Sequence, residues 1–288
     1  MAIEILINEA RCDSFLTEKT RVNQNVFKVN SEGIIPLYDP PHLLKGIRNN
    51  LISKNLTYVM NGQTKTAQWK HLEMLLSENP ECNGERLIAK LTESHVYPTK
   101  LGISRIRFAS QIFSQKIATY MEYLAEKDIL PPESRDTADL ILFFDQLFDS
   151  LNGEPTARHK NKPLLSAVKP NSVHHKTWPD AIKIFKTMKF VNNGAVITVS
   201  DIDSWMWTLE GYRLLLQKLF LEHNVNAVWM RNLNQDHLEI LFRTEINPPA
   251  VNTRNGKTSK VKKPGRLPGE VVTQKVIKAI SRINRQED

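Results

Sequence analysis

LYDPPHLLKGIRNNL, residues 37–51, is the stretch on which the fold turns. Ile34–Tyr38 is apolar and β-prone, and it runs directly into Asp39-Pro40-Pro41-His42. A strand cannot cross two prolines, because each lacks the ladder donor and fixes φ, so the chain must leave the sheet there. From His42 the apolar residues Leu43, Leu44, Ile47 and Leu51 recur at helical spacing, while Lys45, Arg48, Asn49 and Asn50 form a polar edge. The stretch therefore predicts a strand, an abrupt stop and a helix.

Upstream, Phe27–Val29 pairs with Ile34–Tyr38 as a second short strand around the turn Asn30-Ser31-Glu32-Gly33. Residues 2–18 show partial helical periodicity. Downstream, helices are expected at Thr66–Ser77 and over 103–127, where Ile106, Ala109, Ile112, Phe113, Ile117, Tyr120, Met121 and Leu124 recur every three or four positions. Pro131-Pro132 separates that helix from another at roughly 135–151, which ends at Asn152-Gly153 as a helix C-terminus should. The polar, proline-containing stretch 153–175 reads as a loop. Trp178–Met188 reads as a short helix started by Pro179, Ala195–Val199 as a strand, Ser204–Leu221 as a helix capped by Asp201 or Ser204, and Asn234–Phe242 as the start of one more. No internal repeat is found, and the block of helices looks inserted into something else.

The 288 residues, 41% of them hydrophobic, are enough for a real core. Cys12 and Cys82 are too few for a disulfide scaffold or a structural zinc site, which suits a reducing compartment. No run approaches the roughly 18 consecutive apolar residues of a membrane span, and the first residues, MAIEILINEARCD, are not expected to be a secretory signal. The net charge of +8 is uneven: from Asn252 onward there are ten basic and three acidic residues, leaving +1 for residues 1–251. The tail's KVKK run (260–263) suits either a nuclear localisation signal or a contact to a phosphate backbone, and equally a solvated charge run. Beyond it, residues 270–283 have the spacing of a short amphipathic helix.

Gly256-Lys257-Thr258 is not a P-loop, because Val251 stands where the loop needs its leading glycine. His174-His175 is a poor metal pair, since adjacent side chains diverge, and a surface loop is the expectation there. RNLNQDHLEILF (231–242) puts Asp236 and Glu239 three apart at a helix start, a spacing that suits a divalent metal or a base, and also an acidic first turn facing the helix dipole.

Three segments together, DPPHLLKGIRNNL, FFDQLFDSLN (143–152) and NQDHLE, make the chain resemble the P-element transposase family, including the THAP-domain-linked transposase-derived proteins of animals. The resemblance covers about residues 1–245 in the family's order. It implies a mainly α chain with a small β remnant: a partial RNase H-like fold interrupted by a helical GTP-binding insertion domain. Residues 1–52 would close the first RNase H-like half, 53–190 would be the insertion, 191–245 the return to the RNase H-like fold, and 246–288 a basic, largely disordered tail.

That family cuts and rejoins DNA with two Mg²⁺ ions held by two Asp and one Glu. Glu239 matches the Glu, as a catalytic and metal-holding residue. The two Asp have no counterpart, falling before Met1, so this chain alone is expected to be catalytically incomplete; Cys12-Asp13 imitates one of them only in its letters. The insertion implies GTP as a structural cofactor. Asp149 matches an acidic position suited to the guanine N1–H and N2–H₂, and Asp145 stands where the family usually carries Asn. Arg105 and Arg107 stand where the family tends to carry Lys, suited to phosphates, although they also fit a solvated helix face. The partners implied are the transposon-end DNA and GTP, with a full-length transposase as a homo- or hetero-oligomeric partner, no membrane, and a nuclear location. The other reading is a non-catalytic nuclear regulator or a domesticated transposase-derived binding protein.

Overall fold

In the computed structural model the described residues are 27–29, 32–81, 86–155 and 162–234. Those through Arg231 belong to one compact unit, and a second begins at Asn232. The segments expected to be helical at 2–18, 234–242 and 270–283, the two cysteines and the basic tail fall outside this description, Asn234 excepted.

The fold is mainly helical with a small antiparallel sheet. A hairpin of β1 (Phe27–Val29) and β2 (Glu32–Ile34) pairs Phe27 with Ile34 and Val29 with Glu32. The second strand thus starts two residues earlier than the sequence reading placed it and ends at Ile34. Residues 35–39 run instead as irregular chain beneath a late helix, where Leu37 and Ile35 lie against Gly211. Helix α1 (Pro40–Ser53) begins at the two prolines, with Asp39 as its N-cap accepting from the His42 amide. Leu43, Leu44, Ile47 and Leu51 are buried, as the periodicity required.

Next comes a hairpin that the sequence reading did not predict: β3 (Asn55–Met60) and β4 (Gln63–Ala67). Its turn is Asn61-Gly62, with φ +52° and +75°, the left-handed pair that a two-residue hairpin turn demands. Thr66 and Ala67, expected to open a helix, are its last strand residues, and α2 starts only at Lys70 (Lys70–Ser77). The same device recurs late in the chain, where Asn193-Gly194, at φ +48° and +79°, joins β5 (Lys189–Asn192) to β6 (Ala195–Ile197). β5 pairs with β3, giving one four-stranded antiparallel sheet of order β4-β3-β5-β6. The strand expected near Ala195–Val199 is therefore real, and its sheet partners are these hairpin strands rather than β1 and β2.

Between these hairpins lies the helical block: α3 (Glu93–Val96), α4 (Lys100–Ser104), α5 (Ile106–Ile112), α6 (Gln115–Glu126) and α7 (Ser134–Leu151). The single helix expected over 103–127 is thus three helices. The breaks have tertiary causes. Arg48 draws the carbonyls of Gly102, Ile103 and Arg105 toward α1 at the first. At the second, the buried Phe113 turns in to meet Phe144 with ring centroids 5.1 Å apart.

Helix α8 spans His174–Phe185 with Pro179 inside it rather than at its start. His174, expected in a surface loop, is fully buried. The last long helix, α9 (Ser200–Glu222), has Val199 as its N-cap, and neither Asp201 nor Ser204 caps it by side chain. Trp178, Trp205, Phe144, Phe185 and Tyr212 fill the core among α7, α8 and α9. No helix among the described residues is long and apolar enough to cross a membrane.

Candidate functional site

The end of α7 and the chain that returns past it form the candidate site. Leu140, Ile141, Phe144, Leu147 and Leu151 are buried along α7. That stripe fixes the helix's rotation and carries Asp145 and Asp149, one turn apart, at its edge. Asp145 is buried and Asp149 half-buried. Two carboxylates in the last turns of a helix face the negative end of its dipole, and α7 has no basic residue of its own in the last turn.

The cation comes from further along. After α7 the chain passes Gly153, where a Cβ would lie 2.6 Å from the Leu165 carbonyl oxygen, so only glycine admits the returning strand of chain. A 3₁₀ turn at Pro163–Leu165 packs there, with Lys162 as the residue before it. Lys162 donates to Asp149 Oδ2 at 2.7 Å and to Asp145 Oδ2 at 3.3 Å. Burial pulls its ammonium down, but the hydrogen bond to Asp149 and the charges of both acids outweigh that and hold the group above the ordinary lysine value.

The turn that presents Lys162 is itself tied down. His174 Nε2 meets the Leu164 carbonyl at 2.9 Å and its Nδ1 the Ser172 hydroxyl at 3.0 Å. Val168 and Val228 exchange backbone hydrogen bonds, and Arg231 pairs with Glu154. Trp178 Nε1 donates to Ser150 Oγ at 2.9 Å, locking α8 to α7 beside the acids. The stretch 153–175, expected to be a loop, is therefore anchored at Glu154, Leu164, Val168 and His174.

The structure thus brings Asp145 and Asp149 together and adds Lys162, which sequence reasoning had not singled out. The signal available was a lysine in a polar run shortly after a helix with two late acids. Arg105 and Arg107 sit at the α4–α5 elbow. Both are exposed, and the Arg105 guanidinium lies 5.3 Å from the Phe108 ring centroid. The elbow is held from below by Arg48, wholly buried, which gives its donors to Asn49 Oδ1 and to three carbonyls of residues 102–105. Sequence reading had placed Arg48 on a polar edge. Asp39 holds His42 Nδ1 at 2.7 Å at the start of α1. Glu239 lies outside the described residues, and among the described residues no three His, Cys, Asp or Glu side chains form a metal-binding group.

The described residues form a helical body with a small antiparallel sheet and a cation-bridged acid pair at the end of its long helix. Residues 41–163 match the family model described as TNP-like, GTP-binding insertion domain, a span that includes Asp145, Asp149 and Lys162. The chain is 28% identical to human DNA transposase THAP9 over 171 residues, which is 58% of this chain and 18% of that protein. It is 26% identical to the Transposable element P transposase of Drosophila melanogaster over 118 residues, 40% of this chain and 15% of that one. Its fold is similar to the Drosophila P element transposase strand transfer complex, with a TM-score of 0.63 and 17% identity over 78% of this chain and 50% of that one. The chain is thus similar to P-element-type transposases, with residues 41–163 matching the insertion-domain model. It spans less than a fifth of the length of these two relatives.

Proposed function

We propose that this chain is a P-element-type transposase component whose helical domain binds GTP as a structural cofactor while the protein engages transposon-end DNA. The observation that carries the reading is the Asp145–Lys162–Asp149 arrangement within the span matched by the insertion-domain model. Guanine offers N1–H and N2–H₂ as donors, and an ionised carboxylate is an acceptor only, so Asp149 is chemically suited to that edge. The domain has no P-loop, so its residues hold and orient a nucleotide without a Walker-type phosphate cradle. Arg105 and Arg107 are the exposed cations offered to phosphate.

DNA is supported by charge. From Ser94 to Met121 the sequence has no Asp or Glu but contains Lys100, Arg105, Arg107 and Lys116, and the tail adds its excess of +7. Sequences of such charge bind phosphate backbones with affinity that falls steeply as salt rises. The finer parts of the reading are an RNase H-like frame around the insertion, Mg²⁺ held in part by Glu239, assembly with a full-length transposase, and a nuclear location. An isolated Glu does not satisfy Mg²⁺, which needs several oxygen ligands, so strand cleavage requires carboxylates beyond Glu239.

Isothermal titration with GTP, GDP and ATP tests the nucleotide reading. Heat with GTP that is reduced in Asp149→Asn is expected. Absence of both heat and thermal shift with GTP ends it.

A further inference from the structure

We propose that Lys162 sets the base selectivity of this site by supplying the donor for the purine 6-position that Asp145, an acid, is unable to give. The inference rests on the guanine-nucleotide reading above and assigns the part of it that a carboxylate pair leaves unexplained.

Guanine is distinguished from adenine on one edge: O6 accepts while N1–H and N2–H₂ donate, whereas adenine places an amino donor at position 6. A site made only of carboxylates accepts everywhere and therefore favours the adenine amino group as readily as the guanine one. Asp145 and Asp149 alone would be such a site. Lys162 changes the pattern. Its ammonium is bonded to Asp149 at 2.7 Å and to Asp145 at 3.3 Å, and an ammonium has three protons, so one N–H remains beyond these two bonds. A donor thereby stands directly beside the Asp149 acceptor, which is the alternation guanine's O6 and N1–H require. Adenine would set its own donor against the lysine.

Two further observations favour this over a simple salt bridge. The Lys162 side chain keeps 30% of its surface accessible while those of Asp145 and Asp149 keep 11% and 16%, so the lysine is the member of the group most open to an incoming base. The turn that carries it is fixed by His174 on Leu164 and by the close approach at Gly153. The ammonium is therefore placed before any ligand arrives, and a preorganised donor costs little to use.

The role of Asp145 follows. It holds the ammonium from the buried side, which makes it a positioning residue, while Lys162 and Asp149 meet the base. The rival account is that Lys162 only neutralises the negative end of α7. That account predicts lost stability with no change in which purine is preferred.

The test is titration calorimetry of the 288-residue chain with GTP, 6-thio-GTP and ATP, on wild type, Lys162→Met and Lys162→Gln. Replacing O6 by sulfur weakens only the 6-position acceptor and keeps N1–H and N2–H₂. Wild type is expected to prefer GTP over 6-thio-GTP by about tenfold, the scale of one hydrogen bond to a charged group, and to prefer GTP over ATP by more. Lys162→Met is expected to bring the GTP to 6-thio-GTP ratio near one. Lys162→Gln, which keeps a donor without the charge, is expected to fall between. Ratios unchanged from wild type in the variants that bind GTP overturn the role of Lys162 and leave the nucleotide reading standing. No binding of GTP by wild type overturns the nucleotide reading itself, and this inference with it. If Lys162→Met does not fold, Lys162→Gln carries the same two outcomes.

Discussion

Gly46 on α1 leaves the space that the carboxylate of Asp201 on α9 occupies: a Cβ at residue 46 would stand 2.6 Å from Asp201 Cγ and closer still to Oδ1. Asp201 Oδ2 is held there by Asn50 Nδ2 at 2.9 Å, so α1 and α9 are joined by a close contact and a hydrogen bond on the same short face.

Gly46→Ala is expected to destabilise the protein by about 1–3 kcal/mol, the usual cost of forcing extra volume into a packed contact. This is the reverse of the roughly 1 kcal/mol that Ala gains over Gly in an unobstructed helix. Urea unfolding of Gly46→Ala in the wild-type and Asp201→Ala backgrounds measures it. If the closeness to Asp201 is the cause, the penalty disappears in the second background; an equal penalty in both removes the explanation.

Arg48→Met is expected to cost about 2–4 kcal/mol, because it strips partners from carbonyls of Gly102, Ile103 and Arg105 next to a wholly buried side chain. The loss should be local first: amide exchange at residues 103–108 accelerates well before that of α7. Uniform acceleration throughout would mean that Arg48 supports the whole body rather than the elbow.

Lys162→Met in the ligand-free protein is expected to lower stability by about 1–2 kcal/mol, since Asp145 is then left mostly buried without its cation, although solvent near Lys162 screens part of the loss. Converting the acid as well, in Lys162→Met with Asp145→Asn, should restore most of it. A double variant as weak as the sum of the two singles would show that the pair does not interact.

Stability should decline as the pH drops below about 6.5. His71, His95 and His174 are buried, and burial holds each folded-state pKa below the ordinary histidine value of about 6.5. The unfolded chain therefore binds more protons in the interval between the folded values and 6.5, so the histidine contribution is full above 6.5 and is lost as pH falls. Asp201 acts in the opposite sense and lower on the scale, because burial raises its pKa above 3.8 and its contribution improves as the carboxyl protonates. Denaturant midpoints between about pH 8 and pH 5 for wild type and His174→Gln check the first claim. A slope in His174→Gln as steep as in wild type would exclude His174 from it.

The proline stop and the helix after Asp39 were legible because each rests on neighbouring residues, through missing donors, fixed φ and a one-sided apolar stripe, whereas the strand before them was misplaced, since residues 35–39 are irregular chain. The end of α7 at Asn152-Gly153 and the acid pair one turn apart were legible for the same reason. The two Asn-Gly turns carried a local signal as well, and the hairpins they close were readable in principle.

Local sequence alone fixed the stop at Pro40-Pro41, which helix faces are apolar, and that Asp145 and Asp149 share an edge. Only the tertiary structure decided that the apolar run 103–127 breaks twice, since the breaks come from Arg48 and Phe144, distant along the chain. The same holds for His174 being buried, for Asp201 meeting Gly46, and for Lys162 closing on the two acids. Each is a contact between residues that no local periodicity connects, and such contacts are set by how the elements pack, with energies comparable to or larger than the propensities they override.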